Sequence, residues 1–333
     1  MKELREFGPS LDGSTYSTGA MSSWPGRTYP ALLLGDLWGV VTFYNPAQYP
    51  NKLENLKVAV KSMRRQGLKV LIVEAVIPGN VAEVDLSVGE VVHKVAAPSV
   101  LWLKECLINV AVSILPETCD KIVWLDADII FTDDLWVSKL AKLLDQFIVV
   151  QPFSVAHWQR KGFGPRSHEG IQRSSFGAAF SEAIVGGEQT VTGHVGFAWA
   201  SRRSVLRDCG LYDRLVLGGG DFIVAAAMYG RSIDWFLSLL RNEILAKHIR
   251  EWMVAFHTLV RGSVGYLSGN IYHLWHGERK DRGYMSRYAL LSEANFDPTA
   301  DVELLPNGVL AWSNAKSTLH CRTADYFALR RES

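Results

Sequence analysis

Between residues 39 and 125 the chain alternates short apolar runs with longer stretches of helical periodicity, and that alternation leaves few folds open. Residues 39–44 (Gly-Val-Val-Thr-Phe-Tyr) read as a strand, stopped by Asn45-Pro46. Residues 51–66 then place Leu53, Leu56, Val60 and Met63 at helical spacing and stop at Gly67. Residues 68–76 form a second buried strand that carries Glu74 and ends before a Pro78-Gly79 turn. A shorter strand at 91–95, an apolar helix at 100–115 bearing Lys104, Glu105 and Asn109, and a strand at 121–125 follow. Units of this kind predict a parallel, doubly wound sheet with right-handed crossovers. Ligands of such sheets sit at the carboxyl ends of the strands.

The strand at 121–125 delivers Asp126 and Asp128, one residue apart, into a second apolar run. Unpaired carboxylates beside so much hydrocarbon are costly unless something positive meets them. On an extended strand they would point to opposite faces, so both serve one site only where the strand ends or turns. Two readings follow: solvated loop aspartates after a core strand, or a strand end opening onto Mg²⁺ or Mn²⁺.

The second half is less regular. Residues 134–146 predict a helix and 147–151 a strand, and 152–190 read as one long loop rich in Gly, Ser and charge. Within it Arg160, Lys161, Arg166 and Arg173 outweigh Glu169, which suits either a solvated loop or an acceptor-facing, phosphate-contacting flap. Residues 192–200 read as a strand in which Gly193 and Gly196 allow close backbone approach, with Ser201 capping a short helix ended by Gly210. The run 217–223 (Leu-Gly-Gly-Gly-Asp-Phe-Ile) opens a helix to Tyr229, with Asp221 at its mouth as an anion-site residue or a plain cap. Residues 270–277 carry His273 and His276, three apart, as further ligands for a cation held by Asp128. Glu278, Arg279, Lys280, Asp281 and Arg282 then form a charged loop able to close over a phosphate.

A formal net charge of +1 over 333 residues excludes a globally basic nucleic-acid-binding protein but leaves room for a local basic groove. The four cysteines form no Cys-x-x-Cys pair and read as reduced thiols. No apolar run reaches membrane-spanning length and residues 1–7 carry no signal core, so a soluble cytoplasmic protein is expected. The expected organisation is an irregular leader (1–37), one domain (38–290) with a nucleotide-binding half (38–150) and an acceptor half (151–290), and a packed tail (291–333).

The order of these features resembles the nucleotide-sugar glycosyltransferases of the GT-A fold, of the family-2-like, Asp-x-Asp-containing type found as stand-alone bacterial and phage enzymes. The residues that carry the resemblance are the strand and turn at 42–46, Asp126-Ala127-Asp128, the segment 193–205, Gly219-Gly220-Asp221, and His273 with His276. It covers residues 38–285. Gly220 departs from the family, where Glu is common, and Leu217 and Gly218 stand where a tryptophan is usual. The resemblance implies an α/β fold: a GT-A (Rossmann-like) mixed sheet flanked by helices, with an irregular C-terminal extension. It implies metal-dependent transfer of a sugar from a nucleoside-diphosphate sugar, a UDP-sugar by family habit, to an acceptor hydroxyl.

Under that resemblance Thr42, Asn45 and Glu74 line the nucleotide pocket, with Ala127, Gly193 and Gly219 beside it. Asp126 meets the ribose or a metal-bound water. Asp128 holds Mn²⁺ or Mg²⁺, and His273 is the third protein ligand with His276 as its rival. Arg279 and Lys280 add positive charge over the diphosphate. Asp221 is the general base for in-line, inverting attack. The acceptor is a glycan or hydroxymethylated DNA, the latter requiring basic flanks that 158–175 and 278–288 could supply. Two readings of other classes are a nucleotidyltransferase, which releases pyrophosphate, and a non-catalytic module that binds nucleotide sugars.

Overall fold

The computed structural model describes residues 14–17, 27–162, 170–186, 190–283, 286–313 and 316–332. After the short β1 (Ser14–Ser17) the chain forms β2 (Asp36–Tyr44), α1 (Pro50–Arg65), β3 (Lys69–Val76), β4 (Val91–Ala96), α2 (Lys104–Ile114) and β5 (Cys119–Leu125). Pro50 suits the first turn of α1, where its missing N–H has no helical partner to lose. β2 pairs in parallel with both β3 and β5, and β3 with β4, as the alternation requires. The apolar faces of β2 and β3 are wholly buried between α1 on one side and α2 on the other.

From β5 the chain turns into β6 (Ile129–Phe131), α3 (Trp136–Gln146) and β7 (Val149–Gln151). The expected loop at 152–190 is instead structured over its described part: β8 (Val155–Gln159), β9 (Gly170–Ser174) and α4 (Phe176–Gly186). The glycines of α4 weaken its helix propensity, but its alanines favour helix and Phe176, Ala178, Phe180 and Ala183 pack inward. The single strand expected at 192–200 is two strands, β10 (Thr190–Gly193) and β11 (Ala198–Arg202). Between them Phe197 adopts φ 75°, a costly conformation for an aromatic residue and one that breaks the ladder. Ser201 is therefore a strand residue rather than a cap, and α5 (Arg203–Asp208) starts after it.

Next come α6 (Gly220–Met228), α7 (Asp234–Leu240), the long α8 (Glu243–Val260), β12 (Val264–Tyr266) and β13 (Asn270–His273). Asn242 caps α8 by accepting from the Leu245 N–H. The tail is ordered, with α9 (Ala289–Glu293), the hairpin of β14 (Val302–Leu304) and β15 (Leu310–Trp312), and α10 (Ser317–Leu329).

The main sheet runs β12-β7-β11-β5-β2-β3-β4, with β11 antiparallel between β7 and β5. A second sheet, β6-β13-β8-β9, takes the chain that leaves the carboxyl end of β5. The junction of the two sheets therefore lies at the residues between β5 and β6, which are Asp126, Ala127 and Asp128. None of the described helices is long and apolar enough to cross a membrane.

Candidate active site

At that junction lies a cavity of about 240 Å³. Thr42, Asp126, Ala127, Asp128, Gly219, Asp221, His273 and His276 all reach it from separate parts of the chain. Its aspartates split into two centres, because the end of β5 turns as the one-apart spacing requires. Asp126 donates its backbone N–H to Phe197 O (2.7 Å) and Asp128 O accepts from Leu274 N (2.8 Å).

The first centre is Asp128 with the two histidines. β13 pairs antiparallel with β6 so that His273 lies opposite Ile129, the residue after Asp128. The chain then turns and brings His276 back to the same point. His276 Nε2 stands 3.0 Å from Asp128 Oδ2 and 3.1 Å from His273 Nε2, and His273 Nε2 is 3.7 Å from Asp128 Oδ1. One ligand atom from each of these residues lies within 4.8 Å of the others. Burial, with the nearby Arg282 guanidinium, lowers His273 to about 3; burial lowers His276 to about 4 against the pull of Asp128. Both imidazoles are thus neutral at physiological pH, the form that ligates metals. Burial raises the pKa of Asp128 above the usual carboxylate value, while His276 draws it back. Asp128 Oδ1 is buried and makes no hydrogen bond. A carboxylate oxygen left unsatisfied beside two neutral imidazoles fits a divalent cation. His273 and His276 need not be rivals, since both converge.

The second centre is an ion triad across the same cavity. Lys104 Nζ lies 2.6 Å from Asp126 Oδ1 and donates to both oxygens of Asp221, at 3.0 and 3.1 Å. Lys104 is the first residue of α2, where the helix dipole disfavours a cation, so its place reflects these partners rather than the helix. Burial works against its charge, but Asp126, Asp221 and Glu105 more than offset that and raise its pKa. Asp221 sits in the first turn of α6 and is raised by burial, with Lys104 pulling it down and Asp126 pushing it up. Beneath it Glu105, buried and raised to about 8 by desolvation and by Asp221, accepts from Trp102 Nε1 at 2.9 Å. Gly219 has φ +104°, and a Cβ on Gly220 would collide with the Glu105 carboxylate. The Gly-rich turn thus makes room for an acid from another helix.

Several expected site residues are elsewhere. Asn45 does not line the cavity: its amide donates to Glu83 (3.0 Å) and its Oδ1 accepts from Tyr49 N (3.0 Å), so it shapes the loop after β2. Glu74 is buried away from the cavity and accepts from the backbone N–H groups of Glu83 and Val84. Gly193 packs on the Phe176 backbone, which leaves no room for a Cβ and none for a ligand. The side chains of Arg279 and Lys280, and Arg166, lie outside the described residues. Of the basic loop, Arg160 and Arg173 are exposed and Lys161 lies 4.7 Å over the Trp275 ring.

Sequence reasoning missed Lys52, Trp102, Lys104 and His194 as lining residues, and also α10 with its extension. His194 accepts from Gly196 N at 3.2 Å through Nδ1, stacks on Phe197 at 4.0 Å and is lowered to about 3 by burial. From the tail, Phe327 stacks on Trp102 (6.3 Å), Arg330 lies 5.2 Å over the same ring, and Glu332 faces Lys52 at 3.3 Å. The signal for Lys104 was that it is the one cation of α2, set with Glu105 at the start of a mostly apolar helix.

No protein-family model and no curated protein matches the chain. Among solved structures it is similar to residues 1–349 of S. aureus TarS in complex with UDP-GlcNAc, with 11% identity, a TM-score of 0.42, and coverage of 88% of this chain and 72% of that one. It spans 36% of a longer TarS chain. It is also similar to M. tuberculosis glucosyl-3-phosphoglycerate synthase (12% identity, TM-score 0.40, 78% and 79% covered). A third likeness is to 4-diphosphocytidyl-2C-methyl-D-erythritol synthase from Anaerococcus prevotii (8%, 0.35, 71% and 87% covered). These are likenesses of chain path, and the chemistry has to be read from the cavity itself.

Proposed function

We propose that the protein is a metal-dependent glycosyltransferase that moves a sugar from a nucleoside-diphosphate sugar, a UDP-sugar, to an acceptor hydroxyl. The observation that carries this reading is the pairing of two centres in one cavity at the carboxyl end of a largely parallel sheet. One centre is the Asp128, His273 and His276 cluster, and the other is Asp221 held by Lys104. The mixed oxygen and nitrogen donor set suits Mn²⁺ better than Mg²⁺, which favours oxygen alone. Bound there, the cation would supply Lewis-acid stabilisation of the diphosphate leaving group.

The chain's own residues do the rest. Asp126 and Lys104 orient the donor on the β5 side. The acceptor oxygen forms its bond to the anomeric carbon while the bond from that carbon to the diphosphate oxygen breaks. The hydroxyl proton passes to the Asp221 carboxylate, and the nucleoside diphosphate departs with the electron pair. In-line attack of this kind inverts the anomeric centre. Lys104 pulls the Asp221 pKa down, but burial outweighs it and raises the carboxyl above the usual value, which makes Asp221 a stronger base than a solvated aspartate.

The test is nucleoside diphosphate release from a panel of nucleotide sugars, with and without Mn²⁺, in the wild type, Asp128→Ala and Asp221→Asn. Metal-dependent release that Asp128→Ala abolishes is the expected result. Adding candidate acceptors, glycans and hydroxymethylcytosine-containing DNA among them, identifies the acceptor by a further rise that Asp221→Asn lacks. Pyrophosphate release from a nucleoside triphosphate, with none from any nucleotide sugar, would overturn the reading in favour of a nucleotidyltransferase.

A further inference from the structure

We propose that Glu332 is a positioning residue for the cation site, so that docking of the segment 326–332 and binding of a divalent cation at His276 are one coupled event. The inference rests on the metal centre proposed above. An imidazole that gives its Nε2 lone pair to a cation must carry its proton on Nδ1, and that proton needs an acceptor that fixes the ring. His276 Nε2 faces the cluster, 3.0 Å from Asp128 Oδ2. Its Nδ1 faces Glu332 Oε1 at 3.6 Å. Arg282 Nη2 stands 2.9 Å from His276 Nε2 and 3.4 Å from its Nδ1; a guanidinium only donates, so it cannot take the Nδ1 proton, and a cation at Nε2 takes the place that Arg282 holds there. Glu332 is 3% exposed, and the Arg330 ion pair uses one of the two lone pairs on its Oε1. That oxygen therefore has acceptor capacity in reserve, aimed at the ring.

The carboxylate is held there by a built contact. Lys52 Nζ is 3.3 Å from Glu332 Oε2, and Arg330 pairs with Oε1. Tyr49, ahead of α1, donates through its hydroxyl to Ala328 O at 2.7 Å and accepts from Arg331 N at 3.1 Å. Gly277 has φ +106°, and a Cβ there would lie 2.8 Å from Arg331 O, so the segment rests directly on the residue after His276. Because cation and carboxylate act on opposite nitrogens of one imidazole, each strengthens the other by the same factor.

The experiment measures Mn²⁺ binding to the full chain by electron paramagnetic resonance of the free ion, with no nucleotide present. Glu332→Ala should weaken Mn²⁺ about 10- to 100-fold, the usual effect of losing such a partner. Glu332→Gln should lose less, since its amide oxygen still accepts from Nδ1. Tyr49→Phe, which touches no ligand and keeps Glu332, should weaken Mn²⁺ several-fold by loosening the segment. In the reverse direction, saturating Mn²⁺ should slow tryptic cleavage after Arg330 and Arg331 in the wild type and not in Asp128→Ala. If Glu332→Ala fails to fold, Tyr49→Phe and the cleavage rates decide. Wild-type Mn²⁺ affinity in both Glu332→Ala and Tyr49→Phe overturns this inference and leaves the metal centre standing. Absence of any Mn²⁺ binding that depends on Asp128 overturns both.

Discussion

Replacing Lys104 by Met tests the ion triad with little change in shape. The ammonium lies 2.6 Å from Asp126 and 3.0 Å from Asp221, so at an effective dielectric of 20 each contact has a gross Coulomb energy of about 5–6 kcal/mol. Desolvation of the three groups and repulsion between the two carboxylates cancel most of that sum. Removing one partner of a fully buried pair costs about 3–5 kcal/mol, and a surface pair about 0–1. The side chains of Asp126 and Asp221 are 28% and 29% exposed, against 14% for Lys104, which places the loss between those limits, at about 2–4 kcal/mol. The sign for pH follows directly. The ammonium lowers the pKa of Asp221, so its loss raises that pKa further above the ordinary value, and the acid limb of activity should move to higher pH. Urea denaturation of Lys104→Met, Asp221→Asn and the double variant gives the coupling energy. Asp221→Asn should recover a substantial part of the stability in the Lys104→Met background, because it removes the carboxylate left unpaired. A loss in Lys104→Met below about 1 kcal/mol, with no recovery in the double variant, would refute the triad as an energetic unit.

Three further outcomes are expected. Gly220→Ala drives a methyl into the Glu105 carboxylate and breaks its bond with Trp102; a loss of about 1–3 kcal/mol should appear in thermal or urea unfolding. Tyr288→Phe removes the hydroxyl that accepts from Arg287 Nη2 (2.9 Å) and donates to Gly218 O (3.1 Å), leaving buried polar groups unpaired at a cost of about 1–3 kcal/mol by the same measurement. Mn²⁺ at one hundred times its dissociation constant should stabilise the fold by about 2.7 kcal/mol, visible as a rise in Tm that EDTA reverses and Asp128→Asn lacks.

The first half of the fold was legible because its strands are buried on both faces. β2, β3 and β5 read as continuous apolar runs, and the helices between them keep a clear period and sharp stops such as Gly67. The region after β7 was not legible for the opposite reason. β9 is an exposed polar strand, Gly-Ile-Gln-Arg-Ser, whose place is set by pairing with β8 rather than by its own pattern. The break at Phe197 is equally silent, since no local rule asks an aromatic residue to take positive φ. It is imposed where Phe197 O must meet Asp126 N while its ring stacks on His194.

Within the site, legibility followed residue type rather than chain distance: His273 and His276 were readable far from Asp128, while Lys104, nearby in sequence to Asp126, was not. Asp126 and Asp128 announced themselves because two charges interrupt an apolar run, a pattern that local sequence leaves open between solvated loop aspartates and a cation site. Asp126 is met by Lys104, whereas Asp128 faces His273 and His276 from the far end of the chain. Lys104 reaches Asp221 across 117 positions, and Glu332 meets His276 through a segment that read only as a packed tail. The failures over Asn45 and Glu74 have a more local origin. Each stands at or near a strand end, where a ligand could sit, but each spends its hydrogen bonds on the loop around Glu83, which no local pattern places nearby. A polar residue at a strand end is thus free for chemistry only if no neighbouring backbone claims it. That condition, rather than residue type, separates Asp128, whose Oδ1 is unclaimed, from Glu74, both of whose oxygens are taken.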